Sequence, residues 1–155
     1  MTLVQRLHLM FRVACAMCYI GHGAFGIITK KIWCNYFAVF GIGEEAAYSL
    51  MPYIGIADIL MGLILIIYPM RFAAVWLVFW GLFTATLRPL SGEPFAELIE
   101  RAGNFGAPLL LLMFSVTSKT GRSWWFEVLR PKEEMSEKEM NRSFLYMQIF
   151  GAMLL

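Results

Sequence analysis

The chain has 155 residues, 59% of them hydrophobic and 15% charged, with a net charge of +2 and a mean hydropathy of +0.64. A soluble domain carries about 25% charged residues. This composition therefore argues against a water-covered enzyme, a disordered chain and a nucleic-acid binder, and it predicts a small integral membrane protein. The charges that exist are concentrated, with nine of them in residues 127–142. The three cysteines, Cys15, Cys18 and Cys34, do not form the even set of a disulfide framework.

Taken in chain order, the first apolar run covers about residues 7–28 and is closed by Lys30 and Lys31, which is long enough to cross a bilayer. Arg6 and Arg12 lie near its start without a small-residue cleavage pattern, so the expectation is a retained helix rather than a signal peptide. Residues 33–40, with Trp33 and Tyr36, suit a short interfacial segment. After the turn at Gly41 to Glu45, a second span is expected over about residues 50–68, ended by Pro69. Arg71 marks a tight hairpin into a third span, about residues 72–87. The stretch Arg88-Pro89-Leu90-Ser91-Gly92-Glu93-Pro94 reads as a loop. Pro94 suits the first turn of a helix that runs through Glu97, Glu100 and Arg101 into a fourth span of about residues 102–117.

Residues 118–155 form a tail. Trp124 and Trp125 read as an interfacial anchor, and Ser136 with Glu139 has the spacing of a capping box for a last helix. Its apolar part, residues 144–155, is about 18 Å long as a helix and too short to cross alone. Docking on the bundle, on the membrane face or on a partner is expected. The fold class is thus all-α: a four-helix membrane bundle over residues 1–117, an interfacial segment and a C-terminal extramembrane helix. Lysine and arginine placement (Arg6, Arg71, Lys119, Arg122, Arg130 and Lys132 against Lys30, Lys31, Arg88 and Arg101) favours cytoplasmic termini in a bacterial inner membrane.

Ionisable groups inside a span are costly and suggest function. His22 lies near the end of the first span, Asp58 inside the second, Arg88 at the close of the third and Asn104 at the opening of the fourth. Because successive spans alternate in direction, all four fall in one leaflet. Ala14, Cys18, His22 and Gly26 recur at i+4 as a small-residue stripe, and Gly55, Asp58 and Gly62 share another face. Glu97 and Arg101 have ion-pair spacing. A polar cluster of His22, Asp58, Arg88, Glu97, Arg101 and Asn104 is expected, with Glu93 and Glu100 in it or at its rim, as ligand-binding or proton-relay candidates. The competing expectation is that these charges only pin the helices together.

Other chemistry finds less support. Cys15 and Cys18 have CxxC spacing but lie mid-span, where thiolates are disfavoured. His8 and His22 are about 21 Å apart along one helix, so they cannot share one haem. No Glu-x-x-His pair exists for a di-iron site. No other metal-ligating set, phosphate-binding glycine loop or catalytic nucleophile is recognised.

The residues resemble a known family. Arg12 followed by Gly21-His22-Gly23-Ala24-Phe25-Gly26 is similar to the first-helix signature of DoxX-like membrane proteins, and Gly55-Ile56-Ala57-Asp58 with Gly62 is similar to their second-helix pattern. Arg88 to Glu93 and Glu100 to Pro108 resemble the third-loop and fourth-helix signatures of one branch. The resemblance covers about residues 6–117, and Asp58 stands where glutamate is commoner. It implies a four-helix membrane bundle and association with membrane redox systems, since relatives include the DoxD-type subunits of thiosulfate:quinone oxidoreductase. On that basis the expected role is an auxiliary, non-catalytic subunit of a quinone-linked assembly, working with the lipid bilayer and a membrane protein partner or second copy. A quinone is the cofactor this would serve; haem is disfavoured. The alternatives are a small-solute or lipid transporter and a purely structural subunit.

Overall fold

The computed structural model describes residues 1–154, which are mostly helical, with no strand among them. Helix α1 (Leu3–Ile27) begins before the expected residue 7 because Thr2 caps it. The Thr2 hydroxyl accepts from the Gln5 backbone N–H, and the Gln5 side chain accepts from the Thr2 N–H, so two of the orphan donors at the helix start are satisfied. The short helix α2 (Trp33–Ala38) occupies the expected interfacial segment. Helix α3 (Glu44–Ile67) opens with Glu44 and Glu45 in its first turn, where the helix dipole favours negative charge.

Helix α4 (Arg71–Leu90) takes in Arg88 and Pro89, which the sequence reading assigns to a loop. One proline near a helix end removes a single backbone bond. The helix stops instead where Ser91 bonds back to Leu87 and Arg88 and Gly92 adopts a φ of +95°. α1, α3 and α4 are long and apolar enough to cross a membrane.

The fourth segment departs from expectation. The helix predicted to run continuously from Pro94 into a span over residues 102–117 is two pieces, α5 (Ala96–Glu100) and α6 (Ala102–Met113), broken at Arg101. With 12 residues, α6 is about 18 Å long, short of the roughly 30 Å hydrocarbon thickness. It ends early because the next residues bond to the returning chain. Val116 N–H donates to the Arg130 carbonyl, and Lys132 N–H to that of Phe114. Ser115 to Ser118 are also weak helix formers.

The tail carries α7 (Arg122–Trp125) and α8 (Glu137–Met153). The Ser136–Glu139 capping box forms as expected. Helix α8 packs against α6 in antiparallel fashion: Phe150 covers Gly106, Leu154 lies over Gly103, and Ser143 is fully buried.

α1 lies along α3 and also meets α6, which lies along α4. Phe11, Cys15, Tyr19, Leu65, Leu77, Leu111 and Phe114 fill the space between them. The α1–α3 seam is made by glycines. A Cβ on Gly26 would stand 2.8 Å from the Gly55 Cα, and one on Gly62 would stand 2.9 Å from the Ala16 carbonyl oxygen. In lipid, such close backbone packing holds helices together, since tails are as apolar as side chains. The buried stripe on α1 is Cys15, Ala16, Tyr19, Gly23 and Gly26. The stripe expected from i+4 spacing shares only Gly26 with it, because Ala14 and Cys18 are exposed and His22 is partly so.

Candidate functional site

The polar residues gather near the ends of α1 and α4 and the start of α6, level with the middle of α3, where Asp58 lies. The glycine seam brings α1 and α3 close enough for His22 Nδ1 to bond Asp58 Oδ2 at 2.7 Å. Asp58 is 2% exposed and the His22 side chain 28%. A carboxylate accepts only, so Nδ1 carries the proton and Nε2 is the uncommitted ring nitrogen. The Trp33 ring of α2 stands 4.8 Å from the His22 ring.

A second group surrounds Arg88. Its Nη1 donates to Glu93 at 2.8 Å and to Glu97 at 3.0 Å. The Tyr36 hydroxyl donates to Glu93 at 2.7 Å, and the guanidinium lies 5.5 Å from the Tyr36 ring centre. Burial, reinforced by the bond to Glu93, pushes the Tyr36 phenol above its ordinary pKa. Arg101 reaches Glu97 at 3.4 Å, at the i,i+4 spacing read from the sequence. Its Nε is buried without a hydrogen-bond partner.

Asn104 joins neither group directly. Its Oδ1 accepts from the Cys18 thiol at 3.4 Å, and its backbone carbonyl accepts from the Tyr19 hydroxyl at 3.1 Å. Glu100 stands apart: it is exposed and, among the described residues, has no ion-pair partner. The eight candidates thus resolve into a His22–Asp58 pair, an Arg88–Glu93–Glu97–Arg101 network and a separate Asn104, with Glu100 outside.

What unites them is a cavity of about 460 Å³, lined by His22, Lys30, Tyr36, Arg88, Arg101 and Asn104 among others. Among the described residues no carboxylate lines it. Asp58, Glu93 and Glu97 stand behind the residues they bond. The wall is therefore rich in hydrogen-bond donors and suits oxygen acceptors. A larger hollow of about 830 Å³ under the tail mixes Lys119, Arg130 and Lys132 with Glu127, Glu133 and Glu134, and gathers no donor set of one kind.

The opposite end holds a polar network that the sequence did not reveal. Arg71, expected to mark a tight hairpin, is 2% exposed and pairs with Glu127 at 2.8 Å. It also donates to the Val116 carbonyl and lies over the Trp124 ring. The other Glu127 oxygen accepts from the Ser118 hydroxyl at 2.5 Å and from its backbone N–H at 2.9 Å. The Ser118 hydroxyl, then its N–H and the Arg71 guanidinium, overcome burial and hold the Glu127 carboxyl down to about 2. Beside this network, His8 Nε2 lies 3.1 Å from the Ser115 hydroxyl. Arg71 and Glu127 carry no spacing signal, because a pair 56 residues apart obeys no helical period.

Comparison with protein-family models, curated proteins and solved structures returned no match. The reading of this chain therefore rests on its own residues.

Proposed function

We propose that this chain is an auxiliary integral membrane subunit of a quinone-linked redox assembly, of the DoxX-like kind its motifs resemble. α6, flanked by α8, completes a four-helix bundle in this reading, set in a bacterial inner membrane with both termini cytoplasmic. The supporting observation is the convergence of His22, Arg88, Arg101 and Asn104 on one cavity, with their carboxylate partners held behind them.

A quinone, when bound, supplies two carbonyl acceptors and the capacity to take up electrons and protons. The chain's own residues fit such a molecule. Arg88 and Arg101 offer N–H groups to a carbonyl oxygen, and charge-assisted bonds of this kind are the strong ones. Asp58 fixes the tautomer and orientation of His22 through Nδ1, so His22 can exchange a proton at Nε2. Glu93 and Glu97 hold the Arg88 guanidinium in place. No nucleophile or metal-binding set is needed for this role, and the reading is of a subunit rather than a self-sufficient oxidoreductase.

Gentle extraction of the native protein, followed by identification of co-purifying proteins and quinone, tests the reading. A membrane redox protein and a stoichiometric quinone are expected, and Arg88→Gln should lose the quinone while keeping the partner. Recovery of the chain alone, without either, would sink it.

A further inference from the structure

Beside the polar cavity lies a smaller one of about 130 Å³, lined among others by Phe37, Phe40, Ile54, Phe83 and Leu87. His22, Trp33 and Tyr36 line both spaces, so the two meet along one face of α2. Their chemistry is opposite. The first is walled by three cations, Lys30, Arg88 and Arg101, with the Asn104 amide; the second is aromatic and aliphatic.

Several oxygens on the polar wall already have partners within the chain. The Thr84 hydroxyl donates to the Trp80 carbonyl, Tyr36 donates to Glu93, and Asn104 Oδ1 takes the Cys18 thiol. The Lys30 ammonium sits over the Phe25 ring and has no carboxylate partner among the described residues. Arg101 Nε is a buried donor without an acceptor, and such groups are rare enough to call for one.

We propose that the two spaces hold one amphiphile. Its acceptor-rich oxygen head lies against Arg88, Arg101 and Asn104, and one apolar chain lies along the crevice of Phe37, Phe40, Ile54 and Phe83. The proposal rests on the redox reading only for the location of the site. A carbonyl head such as a quinone ring and an oxyanion head such as a phosphate share the required chemistry. The crevice admits about four groups the size of water, so only the first few carbons of the chain are gripped.

The test uses the full chain in neutral detergent, with binding followed by native mass spectrometry and corrected for partition into the micelle. Four probes are compared: dodecyl phosphate, inorganic phosphate, a decyl benzoquinone and the same ring without its chain. For at least one head, the chain-bearing probe should bind about tenfold tighter than its chainless counterpart, a ratio corresponding to about 1.4 kcal/mol. Ile54→Trp, which fills the crevice, should abolish that ratio and leave the chainless affinity unchanged. Phe83→Trp, on a more exposed flank of the crevice, repeats the measurement should Ile54→Trp lower the unfolding midpoint. Arg101→Gln should weaken both members of the pair by about tenfold. A ratio that survives both crevice variants, an Arg101→Gln protein that binds as before, or no binding of any probe would overturn the proposal. Binding of the phosphate pair alone would uphold it and count against the quinone reading. Binding of the quinone pair would uphold both.

Discussion

Arg71 and Arg88 sit at opposite ends of α4, and each bonds a glutamate at 2.8 Å. Around Arg71 the pair is sealed: the Arg71 and Glu127 side chains are 3% and 6% exposed, with Ser118 and the Val116 carbonyl as further partners and Arg71 Nε buried without one. Around Arg88 the pair is open, at 22% and 19%, and the arginine also faces a cavity. A charge pair taken out of water depends wholly on its partners, because each ion left alone would carry an uncompensated desolvation cost. A pair that is about one-fifth exposed and faces a cavity depends on them less. The sealed end is therefore a clasp that ties residues 114–132 to the bundle. The open end leaves donors available to something else.

Arg71→Met gives the largest expected effect. Leaving Glu127 buried without its counter-ion should cost about 3–5 kcal/mol of stability, measured by denaturant unfolding in detergent. Combining it with Glu127→Leu should recover most of the loss. A small effect of the single change would mean that the clasp is not sealed. Next comes Gly26→Ala, whose Cβ would meet the Gly55 Cα at 2.8 Å. Forcing that seam apart should cost about 1–3 kcal/mol, and it should also lengthen the His22–Asp58 bond, a change visible in the histidine ring resonances.

Arg88→Gln should cost less, under about 1 kcal/mol, while removing ligand from the cavity. A stability loss as large as that of Arg71→Met would erase the distinction between the two ends. The clasp also has a pH signature. Glu127 titrates at about 2 in the folded chain against an ordinary 4.5. Its contribution is therefore complete above about 4.5 and disappears as the pH falls toward 2. Glu139, held down to about 2 by Lys132 and Ser136, shares that window. The unfolding midpoint is therefore best followed in a Glu139→Gln background, where adding Glu127→Gln should flatten its fall. The smallest effect is reserved for Lys132→Ala. Its partner Glu139 is exposed, so solvent screening leaves only a small fall in the unfolding midpoint.

Much of the open end was legible in the sequence, for reasons of geometry. Helices that alternate in direction bring His22, Asp58, Arg88 and Asn104 to one end, whatever the details of packing. The glycines flanking Asp58 mark its face as the one that meets α1. What could not be read depends on chain segments far apart. Of the i+4 stripe Ala14, Cys18, His22 and Gly26 only Gly26 lies in the seam, which otherwise runs through Ala16 and Gly23, a phase set by docking on Gly55 and Gly62. The end of α6 is determined by residues 130–132 bonding back to Phe114 and Val116, and between residues 102 and 117 only the weak helix formers Ser115, Val116 and Thr117 point to it. Arg71 looked like a hairpin charge because Glu127 lies in what read as a solvated tail.

The α1–α3 seam has a mechanical consequence. At Gly26 and Gly55 backbone rests on backbone, and at Gly23 and Gly62 one isoleucine each, Ile59 and Ile20, joins the contact, so few rotamer changes could let the helices slide or roll. Asp58 therefore belongs to a rigid floor. Any widening that admits a molecule to the polar cavity must come from its rim, from the six-residue α2 and the 88–101 connection, with Tyr36 and Glu93 as the latch between them.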